Sequence, residues 1–377
     1  MTGIPTEYRR VGGRSRVDLA DELREPRLAG LTTVPVGRGG TVLNYQVRQE
    51  DARRVLSIAS SLARRYPWVH DPEFLAEAAV AAQELPAEIR RVCNLARLQD
   101  RTHATVLSGA LADQHLMAET PLHWREADLD PNAATGYVAG YVLVLYASLF
   151  GDPIGWLTQQ EGRIVTDVLP IPGLETSQVS SSSEKELGWH TEDAFSTSRA
   201  DYVGLMCLRS RGHTATTLSY VQLDELPPDV VDVLFQERFV IHPDTSHEPV
   251  GTAQPSQGAA AGITSLPSDP PPVALLSGHR NAPVLRIDRD FTQAADGDAE
   301  AADALRAVVS HLDRNLYDLV LDQGCVGFID NRNVVHGRRP FRAYYDGKDR
   351  WLKRVNVVTD LRRTRPGRAV SGTRVIG

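Results

Sequence analysis

The chain has 377 residues, 42% of them hydrophobic, which is enough for a large core in one structural unit. Its 41 Lys and Arg against 48 Asp and Glu give a net charge of −7, and its one basic stretch, the Arg-rich tail after Leu361, reads as a solvated end rather than a nucleic-acid footprint. Cys93, Cys207 and Cys325 are too far apart and too few for a disulfide framework or a thiolate zinc site, and no apolar run approaches the length that crosses a bilayer. The expectation is a soluble cytoplasmic protein, monomer or homodimer, that acts on a small molecule and not on a nucleic acid or a membrane.

Residues 1 to about 45 are rich in Gly, Pro and Arg and read as an irregular arm with one short strand. From Asp51, Val55, Leu56, Ile58, Ala59, Leu62 and Ala63 recur at helical spacing. Asp71-Pro72 is an N-cap with proline in the first turn, opening a second helix to about Gln83; Pro86 starts a third that ends near Arg97. Tyr137 to Phe150 is apolar throughout and reads as a buried helix, with a strand as the alternative. Residues 1–150 thus form a mainly helical region expected to pack on a catalytic core of 151–377.

Beyond residue 160 short runs of β-type residues alternate with turns: 162–170, 201–208, 216–221, 238–241, 273–277, 284–287, 325–329 and 354–358. Helices at 228–235 and 299–320 interrupt them. The class is mixed α+β, with the strands in a sandwich or barrel rather than in βαβ units. Residues 243–272 are dominated by Pro, Gly, Ser, Ala and Thr, and read as either an insert or a functional lid.

Three H-x-[D/E] triplets occur, where composition alone gives roughly one or two. His242-Pro243-Asp244 is broken by proline, and His311-Leu312-Asp313 lies in a helical pattern, where i and i+2 diverge by about 200°. His190-Thr191-Glu192 lies in an extended stretch, where i and i+2 share a face. A second imidazole would complete a two-His-one-carboxylate set, which holds Fe(II) and leaves three positions open. A strand ending in Asn333-Val334-Val335-His336-Gly337-Arg338 supplies a candidate. Arg350 and Arg354 follow fourteen and eighteen residues after His336, and an arginine entering the apolar run Val355-Asn356-Val357-Val358 calls for a carboxylate.

Trp189-His190-Thr191-Glu192-Asp193-Ala194-Phe195, the distal histidine motif and the arginine spacing together resemble the clavaminate synthase-like Fe(II)/2-oxoglutarate oxygenases. Within them the sequence looks closest to the arginine β-hydroxylases of peptide-antibiotic pathways. The resemblance implies a double-stranded β-helix, or jelly roll, with flanking helices. It also implies iron on His190, Glu192 and His336, with Arg350 and the hydroxyl of Thr217 on 2-oxoglutarate; Thr216 is an adjacent competitor. Arg354 would take the substrate carboxylate, and Glu192, Gln159 and Ser180 its amino end, with Gln160 equally placed on sequence. Asp288 and Asp290 would clamp a guanidinium, although alone they read as a turn pair or as partners of Arg286 and Arg289. Asp244 and Ser246 fall where the family's lid meets substrate. The implied activity is O2-dependent hydroxylation of L-arginine or a close guanidino amino acid at the β-carbon. Glu192 favours hydroxylation because related halogenases carry a small residue there. The competing readings are lysine, citrulline, enduracididine or capreomycidine as substrate, desaturation or double oxidation as outcome, a silent jelly-roll binding protein, and a zinc hydrolase.

Overall fold

The computed structural model describes residues 28–37, 39–111, 119–127, 134–177, 179–247 and 270–377. In chain order the elements are β1 (Leu31–Val36), β2 (Gly40–Gln46), α1 (Gln49–Arg65), α2 (Pro72–Ala81), α3 (Ala87–Leu98), β3 (Thr102–Ser108), α4 (Ala134–Ala147), β4 (Asp152–Trp156), β5 (Val165–Val168), β6 (Leu187–His190), β7 (Tyr202–Arg209), β8 (Thr216–Tyr220), α5 (Pro228–Leu234), β9 (Phe239–Ile241), β10 (Leu276–His279), β11 (Ala282–Leu285), β12 (Thr292–Ala294), α6 (Ala299–Arg314), β13 (Tyr317–Leu319), β14 (Val326–Asp330), β15 (Val334–Arg338), β16 (Trp351–Val358) and β17 (Val375–Ile376).

Two sheets carry the site. The larger runs β1-β2-β3-β14-β7-β16-β4-β17, with β5 also on β16; the smaller runs β13-β8-β15-β6. They face each other across Val203, Leu205, Cys207, Ile329 and Leu352 from the first and Leu218 and Val334 from the second. The alternate residues Tyr202, Met206, Leu208, Val355 and Val357 turn outward and pack beneath α1 to α4. Trp189 and Val335 turn the other way, beneath α5 and α6. The central strands β7, β14, β15 and β16 are thus covered on both faces, and side-chain parity decides which of their residues reach the space between the sheets.

The helices follow their sequence signals. Asp71 caps α2 by accepting from Glu73 N–H at 2.7 Å, with Pro72 in the first turn. In α4, Ala139 and Tyr141 to Ala147 are all buried, which accounts for its lack of a polar face. Three features differ from expectation. The stretch read as an irregular arm is, over its described part, an antiparallel hairpin in register from Leu31 and Tyr45 to Val36 and Gly40. Strand β3 was not expected inside the helical region; its residues 102–107 are buried on both faces, which erases the alternation that marks a strand. The long helix stops at Arg314, where Asn315 closes it, and the apolar residues that followed form β13. Most of 243–272 lies outside the described residues.

Candidate iron and cosubstrate site

Strand β6 places Gly188 and His190 toward the space between the sheets, while Trp189 points outward and donates its indole N–H to Asp313 of α6 at 2.7 Å. On β15, His336 sits directly opposite His190. Glu192 comes from the turn after β6, where Asn331 grips its backbone: the Asn331 side chain accepts from Glu192 N–H at 2.6 Å and donates to Glu192 C=O at 3.2 Å. Glu192 Oε2 stands 3.5 Å from His190 Nε2 and 3.3 Å from His336 Nε2, and the three donor atoms lie within 4.8 Å of one another. His190 Nδ1 is tied to Gly188 C=O at 2.9 Å, which leaves Nε2 as the ligand nitrogen.

Burial disfavours charge on Glu192, but Arg354 and the two imidazoles outweigh it and hold its carboxyl well below the usual range. Burial also opposes a charge on His190, yet the hydrogen bond to Glu192 and the field of Asp288 push it up to about 9. Burial lowers His336. The metal-free set therefore carries one imidazolium below pH 9, and metal coordination needs that ring neutral. Loading Fe(II) or a redox-inert divalent surrogate releases about one proton per ion at neutral pH. The release fades above pH 9, and affinity rises with pH up to that point. Calorimetry in buffers of different ionisation enthalpy measures this release.

Arg350 is buried, and among the described residues no hydrogen bond or carboxylate meets it; burial pushes its guanidinium down to about 10. Such a cation fits an incoming carboxylate. Arg354, on the inner face of β16, places Nη1 2.6 Å from Glu192 Oε1, an ion-pair contact whose angles do not make a hydrogen bond. Its Nη2 donates to Gln159 Oε1 at 3.0 Å and its Nε to Thr166 Oγ1 at 3.3 Å. Gln159 Nε2 donates to Ser246 Oγ at 3.0 Å. Gln160 is occupied elsewhere: its amide clasps the Asp167 backbone of β5 at 2.8 and 3.0 Å.

Asp288 forms a bridge opposite His190 and so faces the same way. Its Oδ1 accepts from the N–H of Asp290 and Phe291 at 2.9 and 3.0 Å, and burial raises its carboxyl, with His190 opposing and Asp244 adding to the shift. Asp290 lies across Gly188: a Cβ there would be 2.6 Å from Asp290 Oδ2. Asp244 holds the base of its loop by accepting from Ser246 N–H at 2.7 Å. Ser180 is half-buried, and among the described residues no side-chain hydrogen bond joins it to the set.

Thr217 sits on the outer face of β8. It pairs with Gly337, not with His336, and shares the outward face with Ser219, whose hydroxyl donates to Leu312 C=O of α6 at 2.9 Å. Thr216, opposite Arg338, shares the inward face with Leu218 and His336. Reading from the sequence also missed Asn331, which belongs to an Asp-Asn-Arg-Asn turn indistinguishable from any other turn of that composition. Asp193 and His247, discussed below, were missed as well.

A facial triad of two imidazoles and a carboxylate between two sheets is the ligand set of the non-haem iron oxygenases. Residues 147–356 match the model of the taurine catabolism dioxygenase TauD, TfdA family. The chain is 38% identical to the enduracididine beta-hydroxylase of Streptomyces hygroscopicus, over 89% of this chain and all of that one. It is 36% identical to the L-ornithine/L-arginine 3-hydroxylase of Catenulispora acidiphila, over 87% of this chain and 97% of the other. Among solved structures, the non-heme iron oxygenase OrfP with Fe, succinate and (3S)-hydroxy-L-Arg matches at TM-score 0.83 and 39% identity, covering 89% of this chain and 99% of OrfP. OrfP with Fe and alpha-ketoglutaric acid matches at TM-score 0.79 and 38% identity. The chain belongs to the TauD/TfdA family of Fe(II)/2-oxoglutarate-dependent dioxygenases.

Proposed function

We propose that this enzyme hydroxylates free L-arginine, or a close guanidino amino acid, at C3. The carrying observation is Asp288, which faces the site directly opposite His190 and lies in the field of Asp244, whereas Asp290 stands 3.7 Å from Arg289. A planar cation with five N–H donors is a ligand suited to a buried carboxylate there. The relatives that act on L-ornithine or L-arginine and the OrfP complexes with hydroxylated arginine support the same reading. The 38% identical enduracididine hydroxylase keeps a cyclic guanidino amino acid as the second reading.

His190, Glu192 and His336 would hold the iron, which when bound supplies O2 activation with conversion of 2-oxoglutarate to succinate and CO2. Arg350 would take the distal carboxylate of 2-oxoglutarate, with Thr216 the hydroxyl donor on its face of β8. Arg354 would exchange its contact with Glu192 for the substrate carboxylate, and Gln159 and Glu192 would receive the amino group. Ser180 is a remaining candidate at that end, and Ser246 and Asp244 would close over the side chain. The two facing sheets read as a double-stranded β-helix, supported by the OrfP match. Residues 1–150 and 151–377 read as one unit, supported by β1 to β3 joining the larger sheet. The three free, buried cysteines support a reducing, cytoplasmic setting.

Purified protein with Fe(II), 2-oxoglutarate and O2 is expected to form succinate in step with arginine hydroxylation; coupling to no basic amino acid would refute the substrate class. A milder variant separates acid pair from iron. Gly188→Ala displaces Asp290 and is expected to raise the arginine KM about tenfold while leaving Fe(II) affinity within about twofold, since one misplaced charged hydrogen bond amounts to roughly 1.5 kcal/mol.

A further inference from the structure

Glu192 and Asp193 are consecutive carboxylates, and both are buried. In a regular strand they would point to opposite faces. Asp193 instead has φ of 54°, a left-handed conformation that aspartate adopts more readily than most residues, and the turn sends its carboxylate toward β4 and β16. There Oδ2 accepts from Trp156 Nε1 at 2.6 Å and from Asn356 Nδ2 at 3.2 Å. Oδ1 meets His247 Nε2 at 3.1 Å.

The His247 side chain has no exposed surface; its ring sits between Trp156 and Phe195, with centroids 5.2 and 4.6 Å away. Its Nδ1 lies 2.7 Å from Thr158 Oγ1. The ring therefore ties two pieces of chain together: Ser246 precedes it, and Gln159 follows Thr158. Gln159 Nε2 reaches both, at 3.0 Å from Ser246 Oγ and 3.1 Å from His247 Nε2. With the Nε2 proton on Asp193, that nitrogen cannot also accept from Gln159, so the amide hydrogens are left for Ser246 and for a ligand. An aromatic cage alone would be filled at less cost by an apolar side chain, because burying an imidazole beside a carboxylate requires desolvating both.

We propose that the Asp193–His247 pair is a positioning device, clamping Gln159 and the Ser246 loop base to the turn that carries the iron ligand Glu192. The amino end of the substrate is thereby held at a fixed distance from the metal. This rests on reading Gln159 and Ser246 as substrate groups. Loosening the clamp costs amino-acid affinity and coupling, not cosubstrate affinity.

The test uses the full-length protein and three variants, with calorimetric titration of L-arginine and of 2-oxoglutarate onto the Zn(II)-loaded form, and succinate counted per hydroxylated arginine. Wild type that binds no arginine would remove the functional reading, and the inference with it. If wild type binds, His247→Leu is expected to weaken arginine about tenfold and raise succinate per product, with 2-oxoglutarate affinity within about twofold. His247→Gln, which can still donate to Asp193, is expected to recover most of the affinity. Thr158→Val, nearly isosteric, shifts in the same direction by a smaller factor and decides the matter if His247→Leu does not fold. Arginine affinity unchanged in Thr158→Val and in folded His247→Leu, or equal losses for both ligands, would overturn the proposal.

Discussion

Removing the charge of Asp288 is expected to lower kcat/KM for L-arginine about 100-fold, because breaking a buried hydrogen-bonded ion pair costs roughly 2–5 kcal/mol. The expectation combines two roles that geometry separates. One oxygen of Asp288 is committed to the turn, accepting from Asp290 and Phe291, so Asp288→Ala removes both the turn bonds and the charge. Asp288→Asn keeps an acceptor for those N–H groups and removes only the charge. If the residue receives a guanidinium, both variants lose arginine, Asn treats citrulline, the neutral isostere, within about threefold of wild type, and Ala, which also loses the turn bonds, loses citrulline as well but by less than it loses arginine. If it only builds the turn, Asn behaves as wild type and Ala loses both substrates alike. Comparing kcat/KM for arginine and citrulline across the three proteins distinguishes the cases. The 2-oxoglutarate KM is expected to stay fixed throughout, since Asp288 is not among the groups whose charge acts on Arg350.

The residues legible in the sequence are those whose chemistry is unusual alone or in combination. An arginine entering an apolar strand stands out by itself, whereas the histidine two residues from a glutamate and the paired aspartates gain meaning only beside the distal histidine and the arginine spacing; the structure brings Arg354, Glu192, His190, His336 and Asp288 together. What sequence reading lacked was parity. Whether Thr216 or Thr217 faces inward depends on the pairing of β8 with β15, which is fixed by a partner more than a hundred residues away, and a one-residue slip exchanges the faces. Gln159 and Gln160 were equivalent for a related reason: Gln160 and Glu161 both have positive φ, so the chain turns sharply and sends the two amides to different places. Asp193 was hidden by the same kind of turn, and His247 by a stretch of Pro, Gly and Ser that showed no periodicity. Strand β3 failed the alternation test because both of its faces are covered. The fold's layers were thus readable as classes of element, and their contacts were not.

Arg350→Met is expected to stabilise the ligand-free protein while abolishing tight 2-oxoglutarate binding. The guanidinium is buried, and among the described residues no carboxylate compensates it, so the free protein carries the cost of desolvating a cation. Met is unbranched, fills a similar volume and needs no partner. Exchanges of buried ionic groups for apolar side chains have gained about 1–4 kcal/mol in other proteins, and a gain toward the low end of that range is expected here. The sign of the burial shift agrees: a guanidinium pushed down to about 10 is a charged group in an unfavourable place, not one stabilised by a partner. The 2-oxoglutarate carboxylate would supply the missing charge, so wild type gains thermal stability with added cosubstrate and the variant does not. Losing the charge-assisted contact, with the carboxylate then buried unpaired, raises the 2-oxoglutarate KM by about 100-fold or more. Thermal denaturation with and without 2-oxoglutarate reads both halves of the prediction. A variant less stable than wild type would mean that Arg350 supports the core, and one that is equally stabilised by 2-oxoglutarate would place the cosubstrate carboxylate on another residue.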